Sequence, residues 1–344
     1  MKVLFNTSPN AFKSPGGGEV QLLKTKTELE KLGLKIELYN GKQDISEFDL
    51  VHNFNIHRDT FPFLEKAFSA GVPVAVSTIY WPSLKYSLLW NRGIKKKAMG
   101  LAVEIINRLD FFGLSRVKKI LRKADVLLPN SGAEKNILER QFGAKAEKIM
   151  PVPNGVDERF ADASSAEFEK KYMLKDFVLY VGRIEERKNV LGLIRAMNGL
   201  KEKLVIIGDA KHGSEKYYAE CRKESGKNII FLPHIGHESE LLASAYAACR
   251  VFALPSWYET PGLAALEAGL AGANIVVTRE GAAKEYFMEF ASYVNPADVK
   301  DVREKIIKEL QKRKTGALKQ HILKNFLWKN AGQKTLSAYK KILK

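Results

Sequence analysis

The stretch SWYETPGLAALEA, residues 256–268, decides the fold of the chain around it. An apolar run of strand length, residues 250–254, comes directly before it, and leucines recur at helical spacing after it. The pattern therefore predicts a buried strand, a tight loop and a helix. Pro261 suits the first turn of that helix, where its missing N–H group is not needed.

The loop of this stretch carries groups that can bind anions and hydroxyls. We expect the backbone N–H groups of Gly262 and Leu263 to begin the helix and bind an anion, because a helix N-terminus carries partial positive charge. Glu259 precedes them and Glu267 lies one turn further on, and both carboxylates can accept hydrogen bonds from sugar or ribose hydroxyls. The alternative is a solvated Glu259 and a Glu267 that only covers a helix face.

The composition of the chain limits its class and its partners. At 344 residues, with 45% hydrophobic content, it is long enough for two domains that each bury a core. The net charge of +17 favours anionic partners, namely nucleotide phosphates, anionic lipids or nucleic acid. A general solubility charge is the alternative.

Other sequence features indicate a cytoplasmic location. Cys221 and Cys249 lack the spacing of metal ligands, so we expect neither a zinc site nor a disulfide framework. Residues 1–5 are typical of a strand rather than a signal peptide, and no apolar stretch of the sequence is long enough to span a bilayer.

The first half of the chain alternates strand and helix patterns, which predicts a parallel sheet with right-handed crossovers. The predicted strands are residues 2–7, 34–39, 49–54, 73–80 and 126–129. In such a sheet the carboxyl ends of the strands face the ligand, so His52, His57 and Tyr80 are candidates for binding an acceptor. For each of them, a satisfied loop or core side chain is the alternative.

A glycine loop, SPGGGEVQ at residues 14–21, joins the first strand to the first helix. A loop in this position lets backbone N–H groups approach a phosphate closely, and we expect Gly17 and Gly18 to do so. A merely flexible turn is the alternative. Further on, Ser131 and Glu134 have the spacing of a capping box at a helix start.

Residues 92–123 are strongly basic, with bulky apolar side chains among the cations. This mixture suits a helix that lies on an anionic membrane surface. An ordinary helix with solvated cations is the alternative.

The second half begins at PNGVD, residues 153–157, an Asn-Gly turn that follows Pro151 and Pro153. We therefore predict one domain at 1–153 and another at 154–325. The second has predicted strands at 177–183, 203–208, 228–233 and 273–278. Arg183 and Lys188 flank one loop after its first strand, where an Arg fork and a Lys charge can neutralise a diphosphate. Two ordinary surface cations are the alternative.

These motifs, in this order, resemble the retaining GT-B glycosyltransferases of the group 1 family. The resemblance rests on the glycine loop, the crossing at 153–157, the G-R…K-N segment at 182–189, the E-x7-E pair at 259–267 and a final helix containing Trp328. It implies an α/β GT-B fold, with two Rossmann-like parallel-sheet domains facing across a cleft. It also implies that residues 326–344 join the N-terminal domain.

The resemblance also implies an activity. It is the transfer of a sugar from a nucleotide-sugar donor to a lipid-linked or saccharide acceptor, with retention of configuration and without a metal or cofactor. The implied catalytic residues are Arg183, Lys188 and Glu259. The implied donor-binding residues are Gly17, Gly18, Gly262, Leu263 and Glu267. A place in the cytoplasm, peripheral to the inner face of the cell membrane, would follow.

One position departs from the family pattern. Tyr80 stands where the family often has a histidine, which leaves the role of an acceptor-side base open. Two other classes of function are alternatives. One is a catalytically inert binder of sugar nucleotides or polysaccharides with the same fold. The other is a nucleic-acid binder, which charge alone suggests, and we expect no nucleic-acid partner because no recognised motif is present.

Overall fold

The computed structural model describes residues 1–13, 16–81 and 116–343, and the chain divides into two compact units. The first unit comprises Met1–Gly155 and Phe326–Lys344, and the second comprises Val156–Asn325. The division thus falls at Gly155, and the domain boundary expected from the sequence was at residue 153.

The first unit is built on a five-stranded parallel sheet. Its strands are β1 (Lys2–Asn6), β2 (Lys35–Leu38), β3 (Leu50–Phe54), β4 (Val74–Ser77) and β5 (Val126–Leu127). Their order is β2-β1-β3-β4-β5, so the direction of winding reverses between β1 and β3. The predicted parallel sheet is confirmed, with strands shorter than the sequence pattern indicated.

Within the described residues, four helices of the first unit precede the second unit in the chain. They are α1 (Gly17–Lys31), α2 (Phe61–Ser69), α3 (Arg116–Lys123) and α4 (Gly132–Phe142). Helix α3 buries Val117, Ile120 and Leu121 in the core of the unit, because these residues share one helix face. Of the basic segment predicted at 92–123, only α3 lies within the described residues.

The second unit is built on a six-stranded parallel sheet. Its strands are β6 (Val178–Val181), β7 (Leu204–Ile207), β8 (Ile229–Leu232), β9 (Val251–Leu254), β10 (Asn274–Thr278) and β11 (Ala291–Val294). Their order is β11-β10-β9-β6-β7-β8, the doubly wound order in which the winding reverses between β6 and β9. The predicted α/β class is confirmed. The sequence pattern missed β11, an edge strand in which buried and half-buried residues alternate.

Eight helices accompany this sheet. They are α5 (Ala166–Tyr172), α6 (Val190–Met197), α7 (Glu215–Glu224), α8 (Glu240–Ala248), α9 (Leu263–Leu270), α10 (Ala283–Phe287), α11 (Val299–Gln311) and α12 (Ala317–Asn325). Helix α9 begins at Leu263, after Gly262 with φ 86° and ψ 69°. Glycine adopts this left-handed conformation without the strain that a Cβ atom causes. The expected place of Pro261 in the first turn is therefore wrong, because Pro261 precedes the N-cap residue.

The last helix, α13 (Trp328–Ile342), belongs to the first unit. It packs against α1 so closely that a Cβ atom on Gly332 would lie 2.6 Å from the Cβ of Glu28. At its start, a Cβ atom on Gly155 would overlap the backbone of Trp328. Small residues at these two positions thus allow the helix to reach its place. Across residues 1–13, 16–81 and 116–343, every helix is too short or too polar to cross a bilayer.

Candidate functional site

The loops that follow β6 and β9 meet where the winding of the second sheet reverses. The two strands are neighbours, with Val178 paired to Val251. The Trp257 N–H group donates to the Arg187 carbonyl at 2.9 Å, and the Asn189 side chain donates to the Pro255 carbonyl at 3.1 Å. In open α/β sheets this reversal forms the crevice where ligands bind.

Glycines shape the loop after β6. Gly182 has φ +148°, and its N–H group bonds to the Ile207 carbonyl at 3.0 Å. Gly208 has φ +144°, and a Cβ atom there would overlap the Gly182 carbonyl oxygen. The Tyr180 hydroxyl donates to the Arg183 carbonyl at 2.8 Å. This bond fixes the loop backbone at Arg183, the first of the two predicted cations.

Lys188 and Glu259, two of the predicted catalytic residues, form a buried ion pair. Lys188 Nζ lies 2.7 Å from Glu259 Oε1, and the two side chains are 16% and 6% exposed. Burial alone would raise the pKa of Glu259, but Lys188 and Arg187 hold it below its ordinary value. Burial lowers the pKa of Lys188, against the opposing effect of Glu259. The structure thus places a carboxylate and an ammonium, 71 residues apart in the chain, at the same point.

Arg187 extends this pair into a chain of alternating charges. Its guanidinium lies 3.8 Å from Glu259 Oε1 and 3.3 Å from Glu185 Oε1, and over the Tyr258 ring at 5.2 Å. Glu185 in turn lies 4.0 Å from the Arg183 guanidinium. The sequence interpretation missed Arg187 and Glu185, although both lie between the two predicted cations.

Lys211 completes the surroundings of Glu185, at 2.8 Å from Glu185 Oε2. Burial raises the pKa of Glu185, but Arg187, Lys211 and Arg183 together hold it below its ordinary value. The cations therefore outweigh burial, and the loop after β6 carries a net positive charge close to the start of α9.

The loop between β9 and α9 is held by the turn after β10. The Glu259 N–H group donates to the Glu280 carbonyl at 3.2 Å, and the Ala282 N–H group donates to the Glu259 carbonyl at 2.9 Å. Gly281 has φ +107°, and a Cβ atom there would overlap the Glu259 carbonyl oxygen. The backbone of Glu259 is fixed in this way while its carboxylate reaches Lys188.

Helix α9 starts without a side-chain cap from Gly262, its N-cap residue. The N–H groups of Ala265 and Leu266 both bond to the Gly262 carbonyl, at 2.9 and 3.2 Å. The N–H groups before them have no intrahelical acceptor, and this helix end can hold an anion. Gly262 also lies beside Glu259, since a Cβ atom there would be 3.6 Å from the Glu259 Cγ.

Glu267, the predicted ribose-binding residue, lies one turn further along α9 and is buried. Its Oε2 accepts the Tyr246 hydroxyl at 2.8 Å, and its Oε1 lies 2.8 Å from His237 Nε2. The bond to Glu267 raises the pKa of His237, and burial raises the pKa of Tyr246. Sequence reasoning missed both partners, because they lie 30 and 21 residues before Glu267 and carry no local motif.

Gly17 and Gly18, the other predicted donor-binding residues, are the first two residues of α1. The N-cap residue of this helix is Gly16, and its N–H group donates to Glu19 Oε2 at 2.6 Å. A carboxylate of the chain thus already lies at this helix start. A role for Gly17 and Gly18 in phosphate binding stays a prediction.

His52, a predicted acceptor-side residue, lies on β3 and is buried against the last helix. Its Nδ1 lies 2.5 Å from the Tyr339 hydroxyl, and its Nε2 lies 2.9 Å from the Ser77 hydroxyl. The ring stacks on Phe54 at 4.1 Å, and burial lowers the pKa of His52 to about 3. Both ring nitrogens therefore have partners inside the first unit, and the ring is neutral at pH 7.

Tyr80, another predicted acceptor-side residue, follows β4 and packs edge-on against Phe142 at 5.2 Å. Its N–H group donates to Glu134 Oε1 at 2.7 Å. The residue before it, Ile79, has φ +45°, which is strained for a β-branched side chain. Strain of this kind persists only where surrounding contacts impose it, and Glu134 supplies one of them.

The predicted cap of α4 is confirmed in part. Ser131 is the N-cap residue, and its hydroxyl accepts the Glu134 N–H group at 3.0 Å. The Glu134 carboxylate accepts the N–H group of Asn130 at 2.8 Å instead of that of Ser131, and it also accepts the Thr78 hydroxyl. All its donors are neutral, and burial raises the pKa of Glu134 to about 7.

Among the described residues, one cluster has the composition of a metal site. Ligand atoms of Asp157, His237 and Glu238 lie within 4.8 Å of one another. The guanidinium of Arg159 donates to the His237 carbonyl and lies 3.9 Å from Glu238 Oε2. This cation opposes the binding of a second cation. The expected independence from metals stays a prediction.

Comparison with known proteins shows which family the second unit resembles and which fold the chain has. Residues 163–325 match the family model of Glycosyl transferases group 1. The chain is 28% identical over 234 residues to O-antigen chain mannosyltransferase B of Escherichia coli, covering 64% of this chain and 61% of that protein. It is 30% identical over 183 residues to D-inositol 3-phosphate glycosyltransferase of Stackebrandtia nassauensis, covering 48% and 41%. The matches thus span less than two thirds of these relatives.

Solved structures match along almost the whole chain. Sucrose-phosphate synthase from Thermosynechococcus elongatus has a TM-score of 0.77 at 17% identity, covering 99% of both chains. Anabaena Alr3699/HepE in complex with UDP-glucose has a TM-score of 0.76 at 18% identity, covering 99% of this chain and all of that one. At such identities the likeness shows the fold. Over residues 163–325 the chain is therefore similar to the Glycosyl transferases group 1 family, and it has the GT-B fold.

Proposed function

We propose that the protein is a glycosyltransferase that binds the diphosphate of a nucleotide-sugar donor at the start of α9. The observation that carries this proposal is the buried Lys188–Glu259 pair beside a helix N-terminus that its own N-cap residue leaves uncapped. The helix end and the cations of the loop after β6 can bind a diphosphate, and the carboxylate can accept a hydrogen bond from a hydroxyl.

The cations would stabilise the leaving group. An ammonium has three N–H donors, so Lys188 can keep its bond to Glu259 and donate to a phosphate oxygen as well. Arg183 adds a planar fork on the other side of Glu185. Negative charge grows on the diphosphate as the glycosidic bond breaks, and donors already in place stabilise that charge. The transfer would then need no metal.

The carboxylates would orient the donor. Glu259 accepts a hydroxyl of the sugar close to the reacting carbon, and Glu267 accepts the ribose hydroxyls. The acceptor hydroxyl attacks on the face that the nucleotide leaves, with retention of configuration, and its proton passes to the departing phosphate oxygen. His52 supports this route, because both its ring nitrogens are bonded within the first unit and burial lowers its pKa to about 3, which makes it a weak base. Tyr80 packs against Phe142 in the core of the same unit.

The proposal extends to the class of the donor sugar and of the acceptor. One relative is named as a mannosyltransferase, and one solved structure of the same fold holds UDP-glucose, which together favour a hexose donor. We propose a lipid-linked or saccharide acceptor, with the cationic segment 92–123 on an anionic membrane of the cytoplasmic face. Helix α3 supports this, because it carries five cations within eight residues.

Thermal shift with UDP-, GDP- and ADP-sugars tests donor binding, because a ligand of the folded state raises its melting temperature. We expect one class of nucleotide sugar to bind, and Glu267→Gln to weaken that binding.

The product of the transfer should keep the donor's anomeric configuration by NMR, and the enzyme should keep full activity in EDTA. Inversion would contradict the retaining assignment, and loss of activity in EDTA would contradict metal independence.

The inert-binder alternative has its own test. Water can replace the acceptor when none is present, so an active transferase should hydrolyse its donor slowly. We expect wild type to release nucleoside diphosphate from the bound donor and Arg183→Ala to lose this release. Donor binding with no release by wild type, and no transfer to any saccharide or lipid-linked acceptor, would favour the binder.

A further inference from the structure

Glu267 is held by two donors of different kinds. Tyr246 lies on α8, is fully buried, and packs edge-on against Phe160 and Phe252 at 5.6 and 5.9 Å. It is a fixed donor. His237 lies in the loop between β8 and α8, and its side chain is 29% exposed. The second oxygen of Glu267 is therefore oriented by a loop residue.

The imidazole of His237 faces acceptors on both sides. Its Nε2 lies 2.8 Å from Glu267 Oε1, and its Nδ1 lies 3.2 Å from Glu238 Oε1. Carboxylates only accept hydrogen bonds when ionised, so the ring makes both bonds when both nitrogens carry protons. This arrangement keeps an N–H group directed at Glu267.

The remaining charged groups around His237 support the same state. A carboxylate oxygen of Asp157 lies in the same cluster, and Tyr246 shares Glu267 with the imidazole. Arg159 is the cation close by, and it donates to the backbone carbonyl of His237 while lying 3.9 Å from Glu238 and from Glu240. Negative groups thus outnumber positive ones around the ring, which accords with the raised pKa of His237.

We propose that His237 is a positioning residue for nucleotide recognition, which orients the Glu267 carboxylate so that it accepts the two ribose hydroxyls. The inference rests on the proposed function, since it assigns Glu267 to the ribose. Each carboxylate oxygen has about two acceptor sites. Tyr246 and His237 occupy one site on each oxygen, and one site on each is left for a hydroxyl.

The test compares ribose and deoxyribose ligands. Dissociation constants are measured by calorimetry for UDP, GDP and ADP, each beside its 2′-deoxy counterpart. With wild type, we expect the bound ribonucleotide to outcompete its deoxy form by about tenfold, the value of a hydrogen bond to a charged group. In His237→Ala this ratio should fall to within about twofold, with the larger loss in ribonucleotide affinity, because the deoxy form keeps its 3′-hydroxyl.

Two further variants separate positioning from folding. His237→Gln keeps an N–H donor of similar reach and should restore most of the discrimination. His234→Ala removes an exposed histidine of the same loop and should leave it unchanged. A wild-type ratio in a folded His237→Ala protein, or equal loss in His237→Gln and His237→Ala, would overturn the proposal for His237. Wild type that binds a nucleotide and its deoxy form equally would instead overturn the ribose assignment of Glu267.

Discussion

The starts of α1 and α9 look alike in sequence, since each follows a strand and a glycine-containing loop, but they differ at the third helical residue. In α1 this residue is Glu19, whose carboxylate accepts the Gly16 N–H group at 2.6 Å. In α9 it is Ala265, and the acidic residue of the loop, Glu259, is held by Lys188. A helix dipole attracts the nearest anion. The start of α1 therefore has an anion of its own, and α9 leaves its start to a ligand.

Helix α4 in the first unit repeats the arrangement of α1. Its third residue is Glu134, whose carboxylate accepts the Asn130 N–H group at 2.8 Å. Two buried glutamates thus differ in their neighbours, because Glu134 meets neutral donors and Glu259 meets cations. The position of acidic residues, more than that of the glycines, thus distinguishes a self-capped helix start from a ligand site.

The largest effect should come from Lys188→Ala. We expect kcat to fall by about a hundredfold or more, the size found for losing one donor to a developing oxyanion. The matched control is Lys211→Ala, which removes a more exposed lysine, 43% exposed, from Glu185 in the same network. A rate close to wild type in Lys188→Ala would remove Lys188 from the mechanism.

The contrast between the buried glutamates predicts a pH effect on stability. The folded protein binds the Glu134 proton more tightly than the unfolded chain, since burial raises the pKa of Glu134 to about 7. This stabilisation is full below pH 4.5 and is lost as pH rises through about 7. From pH 5.5 to 8, the free energy of unfolding should fall by about 2 kcal/mol more in wild type than in Glu134→Gln. Equal pH profiles of denaturant unfolding would show that Glu134 is not protonated near neutrality.

Placing an acid at the start of α9 should make it resemble α1. Ala264→Glu adds a carboxylate in the first turn, which should compete with the diphosphate and weaken nucleotide binding about tenfold. Ala264→Gln has nearly the same size without the charge and is the control. If both variants bind the nucleotide equally well by calorimetry, the start of α9 does not hold the anion.

The smallest effect should come from the self-capped helix. Glu19→Ala removes the acceptor of the Gly16 N–H group and should lower the free energy of unfolding by about 1 kcal/mol. Glu30→Ala, at the other end of α1, is the control for helix propensity. Loss of stability in the control alone would show that the cap contributes nothing.

Local patterns predicted most of the fold. Patterns of strand length predicted ten of the eleven strands in the described residues, because most of these strands are buried on both faces and are apolar along their length. The cap at Ser131 was also predictable, since it depends on neighbours three residues apart. The place of Pro261 was wrong, because Gly262 turns left-handed and the helix starts after it.

The partners within the site were beyond the reach of local patterns. Lys188 and Glu259 meet because β6 and β9 are neighbours in the sheet, and strand order cannot be derived from periodicity. His52 contacts Tyr339, which lies 287 residues further along the chain. Such contacts decide which polar residues are available to a ligand, whereas the sequence shows only which polar residues exist.

A crystal structure with bound nucleoside diphosphate tests the central claim most directly. Using whichever of UDP, GDP and ADP binds, we expect diphosphate oxygens within hydrogen-bond distance of Lys188 Nζ and the Leu263 N–H group, with the Arg183 guanidinium beside them. The ribose should lie on Glu267. A diphosphate bound at the start of α1, or anywhere away from Arg183 and Lys188, would contradict the account.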